Sequence, residues 1–289
     1  RGLTDATDGR TVVLLEYSGY GYAKRGAPLW LERGLSRVCG EDGVPLVTMI
    51  HEIQASSWKP WTSAFWLSPV QSYVATRIVR LSRAVLTNRT PSTAWVCSRV
   101  GEDTPVLTQP VFSNVGEPED IPSFEKRESY AVVFGGVGMK NRLYAELATL
   151  ESDIFDQFGV DRIVDIGAEP TEVVNGLPVE IHGIQPAMTI SEHLRRARIG
   201  FLYYPVDYLT KSGIWSSYAA HGLPTVVMAE PGSTDIPKQG EHYMRLNDEG
   251  ELLGSLCLAD AGREAWNWYQ AKAHSREAAR AFSSVLQET

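Results

Sequence analysis

AVVFGGVGMKNR, residues 131–142, is the stretch on which the fold is read. Its first four residues form an apolar run that reads as a buried strand, and Gly135 and Gly136 read as the turn that ends it. A helix is predicted over 141–158, because Leu143, Leu147, Leu150, Ile154 and Phe158 fall on one face. Strand, short turn and helix is the unit from which parallel sheets are built. The alternation continues with strands at 162–166, 179–182, 199–204 and 224–228, helices at 191–197 and 213–221, and one long amphipathic helix over 262–286.

The same pattern precedes it. Strands are read at 11–16, 45–50 and 84–87, and helices at 28–38 and 68–81. Between 105 and 127 four prolines and several acidic residues remove any periodicity, which marks a linker. The expectation is an α/β protein of two Rossmann-like, doubly wound domains facing a cleft. An N-terminal domain covers 1–110, a linker 111–127, a C-terminal domain 128–261, and a helix over 262–289 packs back across the domains. In such sheets ligands bind outside the carboxyl ends of the strands, so the loops there carry the chemistry.

Composition limits the function classes. The chain has 289 residues, 43% hydrophobic and 21% charged, which excludes disorder and fibrous structure. Its 27 Lys and Arg against 35 Asp and Glu give a net charge of −8, unlike a general nucleic-acid binder. The charge is unevenly spread. From Ile53 to Gly101 there is no acid, and Lys59, Arg77, Arg80, Arg83, Arg89 and Arg99 give that stretch +6 while the remainder carries −14. Cys39, Cys97 and Cys257 are odd in number and lack a C-x-x-C pattern, which argues for reduced thiols and a cytoplasmic setting. The first residue is Arg1 rather than Met, from which processing or truncation is expected.

Two loops carry the features of a phosphate site. Gly135 and Gly136 let a ligand approach the backbone, and Lys140 and Arg142 stand at the start of the following helix. Cations there oppose the helix dipole by about 0.3–1 kcal/mol each, a cost that a bound anion relieves. Thr210-Lys211-Ser212-Gly213 repeats the logic after the strand at 199–204. Taken singly, the first is also a turn with two solvated bases and the second an ordinary Ser212 N-cap. Two such starts in one domain suggest a diphosphate held by two lysines. His51 follows a buried strand at the edge of the other domain, a place where a side chain meets ligand or core alike. No H-x-x-x-H, C-x-x-C or D-x-D pattern supports a metal, and no G-x-S-x-G elbow supports a serine nucleophile.

The acid-free stretch holds Trp58, Trp61, Phe65 and Trp66, followed by a helix bearing Arg77 and Arg80. Aromatic rings beside arginines suit an anionic membrane interface, at about 1 kcal/mol per base. They also fit a tryptophan-rich loop packed into its own domain, or stacking on a nucleic acid.

Several segments resemble the GT-B glycosyltransferases of the retaining, family-four type. RIVDIGAEP (162–170) resembles their strand and glycine loop, and VEIHGIQPAMTISEHLRRARIGFLYYP (179–205) their base-recognition region. LTKSGIWSSYAAHGLPTVV (209–227) resembles their E-G-F-G…E-A-M-A-x-G-x-P-V-V segment, and VPLVTMIHEI (44–53) a strand ending in a reaction-centre histidine. The resemblance implies a metal-independent hexosyltransferase with no cofactor beyond a nucleotide-sugar substrate, UDP-sugar favoured over GDP-sugar. The donor would meet Gly135, Gly136, Lys140, Arg142, Gly183, Lys211, Ser212 and Gly213; the acceptor side would include Gly19, Tyr20 and Gly21, with His51 at the transferred sugar. A lipid-linked or glycan acceptor in bacterial polysaccharide assembly would account for membrane contact through Trp58, Trp61, Trp66, Arg77 and Arg80, on the inner face of the plasma membrane. No nucleic-acid partner is implied. Two departures stand out. The family's paired glutamates fall on Leu209 and Ser217, with Asp207 nearby, and the N-terminal domain is short, which predicts a missing segment. An epimerase of the same fold, or a nucleotide-sugar-binding module without catalysis, are the alternatives.

Overall fold

The computed structural model describes residues 11–54, 61, 63–150, 153–168, 177–229, 237–246, 252–253 and 257–287. The chain forms two compact units, Arg1–Pro110 with Ala279–Thr289, and Val111–Ala278.

The first unit runs β1 (Val13–Ser18), a short helix α1 (Gly19–Tyr22), α2 (Leu29–Leu35), a π-helical turn (Ser36–Glu41), β2 (Leu46–Glu52), α3 (Ser63–Leu81), β3 (Ala84–Thr87), α4 (Thr90–Cys97) and β4 (Val106–Thr108). Its strands make one parallel sheet in the order β1-β2-β3-β4. The central strand β2 is apolar on both faces because both are covered. Leu15, Tyr17, Leu46, Ile50 and Val85 pack with Val74, Ala75, Ile78 and Val79 of α3. Val47, Met49, Ala84 and Leu86 pack instead with Ala281, Phe282 and Val285 near the end of the chain. Helix α3 starts five residues before the predicted 68, carrying Pro69 inside it. α4 and β4 are short and were not legible as periodic segments.

The second unit runs β5 (Glu128–Gly135), α5 (Val137–Leu147), α6 (Asp153–Phe158), β6 (Arg162–Gly167), β7 (Val179–Gly183), α7 (Ala187–Arg196), β8 (Ala197–Leu202), a 3-10 turn (Val206–Lys211), α8 (Gly213–Ala220), β9 (Thr225–Val227), α9 (Leu258–Lys272) and α10 (Ser275–Gln287). The sheet is parallel throughout, in the order β7-β6-β5-β8-β9. This is the doubly wound arrangement, with the chain direction reversing beside β5.

Three predicted segments differ. The helix expected over 141–158 begins at Val137 and divides into α5 and α6. The long terminal helix divides at Ala273–His274, where the Glu117 carboxylate accepts from Ser275 N at 2.8 Å, from the Ser275 hydroxyl and from the Tyr269 hydroxyl. Glu117 so caps a new helix start, and α10 belongs to the second unit through Ala278 and to the first from Ala279. The expected linker over 111–127 packs on the second unit. Val111 N donates to Thr210 O at 3.0 Å, Ser113 N donates to the Tyr269 hydroxyl at 2.8 Å, and Val115 is buried in the core. At its end the buried Arg127 guanidinium donates to the carbonyls of Leu194, Arg195, Ala197, His221 and Gly222, tying the ends of α7 and α8 to the start of β5.

Candidate functional site

β5 has β6 on one side and β8 on the other, so the loops after β5 and β8 border the crevice at the switch point. The first loop is short. Gly135 has φ 141°, a backbone that favours glycine, and Gly136 is the N-cap of α5. A Cβ on Gly135 would stand 2.6 Å from Ile214 Cδ1 at the start of α8, and one on Gly167 would run into the Gly135 carbonyl. The glycines therefore let the ends of β5, β6 and α8 converge. After β8 the chain makes Tyr203, Tyr204 and the 3-10 turn before α8 opens at Gly213. The exposed Arg142 on α5 holds its guanidinium 5.9 Å from the Tyr203 ring centroid, which brings the two loops together. Lys211, half-buried, closes the 3-10 turn. Gly183 has φ 66° at the carboxyl end of β7, with open space where a Cβ would lie, and the exposed Ile184 and Met188 follow it.

Lys140 does not reach this edge. It is 1% exposed, and its ammonium pairs with the fully buried Asp165 of β6. Tyr144 donates to the other carboxylate oxygen at 2.6 Å, and burial followed by that carboxylate pushes the phenol far above its ordinary range. The Lys140 charge is thus matched inside the fold, which corrects the expectation that it meets a diphosphate. The Ser212 hydroxyl is likewise engaged: it is buried and accepts from Trp215 N at 3.2 Å as the N-cap of α8. Of the predicted cations, Arg142 and Lys211 remain at the loops. Leu209 is buried in the core, and Ser217 is buried with its hydroxyl on Gly213 O at 2.7 Å, so neither position offers a carboxylate.

His221, missed in the sequence, closes α8 from beneath. Its Nδ1 donates to Ser217 O at 2.7 Å and its Nε2 faces the Ser191 hydroxyl at 2.7 Å. Burial pulls its pKa down to about 4, so the imidazole is neutral. A pocket of about 340 Å³ lined by Ile121, Phe124, Gly222, Pro224 and Arg263 lies at the amino ends of the strands, the edge opposite to these loops.

In the first unit, His51 sits at the end of β2 with its Nε2 2.6 Å from Glu16 Oε2 of β1 and its Nδ1 3.4 Å from Asn88 Nδ2, one residue beyond β3. Glu16 and Asn88 were not singled out in the sequence, since only the strand pairing brings them to His51. Gly19, Tyr20 and Gly21 lie in α1; Gly19 lies against the Gly26 backbone, and the exposed Tyr20 faces the Gln71 amide at 3.4 Å.

Trp61 and Trp66 are 80% and 68% exposed, and Tyr73 is exposed too. Trp66, Tyr73, Arg77 and Arg80 recur at helical spacing along one stripe of α3. Arg77 pairs with the buried Glu32 of α2 at 3.1 Å, and Arg80 donates to Arg99 O at 3.1 Å. Trp58 lies outside the described residues. Among the described residues no helix is long and apolar enough to cross a membrane, and no group of His, Cys, Asp or Glu is arranged to hold a metal ion.

No family model matches the sequence, and no curated protein matches it. Solved structures do share its fold. TarM is 9% identical over 88% of this chain and 53% of its own, with a TM-score of 0.54. The α,α-trehalose 6-phosphate synthase of Burkholderia multivorans is 11% identical over 96% of this chain and 71% of its own, with a TM-score of 0.57. The Gap123 complex of Streptococcus agalactiae is 9% identical over 90% of this chain and 51% of its own, with a TM-score of 0.51. The chain spans about half the length of the TarM and Gap123 chains. These neighbours are GT-B glycosyltransferases, and the fold of this chain is GT-B.

Proposed function

We propose that this GT-B chain is a glycosyltransferase that moves a sugar from a nucleotide-diphosphate donor to a glycan or lipid-linked acceptor. The observation that carries the reading is the switch point of the second sheet, where a glycine-lined helix start, Arg142 and Lys211 surround the ends of β5 and β8. A leaving nucleotide diphosphate gains negative charge, and fixed cations and helix N-termini stabilise that charge most when they are already in position. On this reading Gly135, Gly136, Gly183 and Gly213 meet the donor through their backbone, while Arg142 and Lys211 meet its phosphates. Lys140 contributes by holding the loop on Asp165. A preference for UDP-sugars, retention of configuration and independence of metal follow from the resemblance to the family-four enzymes alone. The acceptor side is the carboxyl edge of the first sheet with His51. The exposed Trp61 and Trp66 support contact with an anionic membrane surface, from the cytoplasmic side.

Thermal-shift titration with UDP, GDP, ADP and their sugars tests the donor site and its base together. A nucleotide at a hundred times its Kd stabilises the chain by about 2.7 kcal/mol. No response to any of them sinks the reading. The buried Leu209 and Ser217 favour a second one, a binding module without catalysis. Tight nucleotide binding with no sugar transfer or donor hydrolysis, in membranes that supply acceptors, would decide for it.

A further inference from the structure

The pocket of about 340 Å³ in the second unit lies at the amino ends of β5, β8 and β9, away from Arg142 and Lys211. Its walls are apolar. Ile121, Pro122 and Pro224 line it with the Phe124 ring, which is fixed by the Arg198 guanidinium 4.5 Å from its centroid. Its rim is polar, because Ser123, Glu125 and Arg263 are exposed, and Arg263 is already paired with Asp260 at 2.6 Å. The charged residue that lines it from within is Arg127, which is 5% exposed.

A guanidinium has five N–H groups. Nη1 and Nη2 of Arg127 serve the five carbonyls at the ends of α7 and α8, at 2.8–3.2 Å. Among the described residues the Nε hydrogen has no acceptor and no carboxylate pairs with the charge; the cation that acts on it is Arg195, of like sign. Burial pulls its pKa down to about 10, so the group is charged at neutral pH. Carbonyl dipoles solvate that charge without neutralising it, and buried charges are ordinarily paired. The fold thus holds a fixed positive charge and one unused donor inside an apolar pocket.

We propose that this pocket binds a small amphipathic carboxylate, with its carboxyl group on Arg127 Nε and its apolar part between Ile121, Phe124 and Pro224. A carboxylate supplies both of the missing pieces, an acceptor and a negative charge. A phosphate would ask for several donors where one is open, and a neutral apolar molecule would leave the charge unmatched. The inference goes beyond the glycosyltransferase reading and does not depend on it.

Titration calorimetry of the full chain with 4-phenylbutanoate, and with 4-phenylbutanamide as its uncharged match, tests the site. The carboxylate should saturate one site per chain with a Kd of about 1 mM or tighter. The amide should bind about tenfold more weakly, having lost one charge-assisted contact. Ala259→Phe places a ring in the pocket from the first turn of α9 and should abolish binding of both compounds. Ser123→Asp changes an exposed rim residue and keeps the fold. It should weaken the carboxylate by about fivefold at low salt, less at high salt, and leave the amide unmoved. Urea midpoints confirm that each variant is folded, and Ser123→Asp decides if Ala259→Phe is not. No saturable binding of 4-phenylbutanoate, equal affinity for the amide, or unchanged carboxylate binding in folded Ala259→Phe or in Ser123→Asp each overturn the proposal. UDP titrated into the same samples reports on the donor edge separately, so that failure of either reading is seen without the other.

Discussion

The two carboxyl edges are built on the same kind of parallel sheet and present opposite chemistry. The edge of the second sheet offers glycines, helix starts, Arg142 and Lys211, all suited to negative charge. The edge of the first offers Glu16, His51 and Asn88, with Ser18 donating to Glu52 at 3.1 Å, so that two carboxylates stand where the second edge has two cations. Architecture therefore fixes where the loops converge, and a few loop residues fix the charge they present. The two lysines of the second unit show how fine that control is. Lys140 lies three, four and seven residues before Leu143, Tyr144 and Leu147, all buried, so helical phase turns it into the core. Lys211 ends a 3-10 turn and stays at the rim.

The largest expected effect tests that contrast. Lys140→Ala removes the cation that pairs with the buried Asp165, leaving only the Tyr144 hydroxyl on that carboxyl group, and lowers the unfolding free energy by about 3–5 kcal/mol, read from urea denaturation. The pair Lys140→Met with Asp165→Leu recovers most of it and binds nucleotide as the unmodified chain does. A double variant that folds but has lost nucleotide affinity would break the distinction between the two lysines.

Next in size is a pH effect confined to the second unit. His221 has its pKa lowered to about 4 from an ordinary 6.5, so between these values the unfolded chain takes up a proton that the native chain refuses. Stability is complete above the ordinary value and falls as pH drops towards 4, by up to about 3 kcal/mol. Denaturation midpoints across that window should flatten in His221→Gln, whatever the absolute stability of the variant; an unchanged slope counts against the neutral, buried imidazole.

Lys211→Ala should weaken UDP binding by about tenfold in titration calorimetry, close to 1.4 kcal/mol, while stability stays within about 0.5 kcal/mol. An affinity that does not move returns Lys211 to an ordinary surface base. The smallest effect concerns the first unit, whose acidic edge contrasts with the basic, aromatic stripe of α3. Arg80→Gln should reduce binding to anionic vesicles by about 1 kcal/mol at low salt, and less in high salt. Arg77→Gln should do less, because Glu32 already neutralises it. Equal binding to neutral vesicles would remove the membrane from the account.

β5, β8 and β9 were legible because each holds an apolar run bounded by glycine or proline, and the parallel sheet buries both their faces. The glycine loop and the Lys211 turn were legible for the same reason, as punctuation after such runs. Partners that depend on register were not. Asp165 stands opposite Val133 on β5, and only that pairing reveals why an acid interrupts RIVDIG. Glu16 lies 35 residues from His51 in sequence, so no local pattern could join them. The division of the terminal helix was hidden for a similar reason, since Glu117, which caps α10, lies 158 residues before Ser275.

The path of α10 has a bearing on the order of assembly. Val47, Met49, Ala84 and Leu86 leave the ribosome early, yet the side chains that cover them, Ala281, Phe282 and Val285, are translated after the whole second unit. Since domains fold during synthesis as their residues emerge, the second unit can close while the first still shows a bare apolar sheet face. That face of the first unit is thus covered only after the second unit has been synthesised, and until then it is open to aggregation.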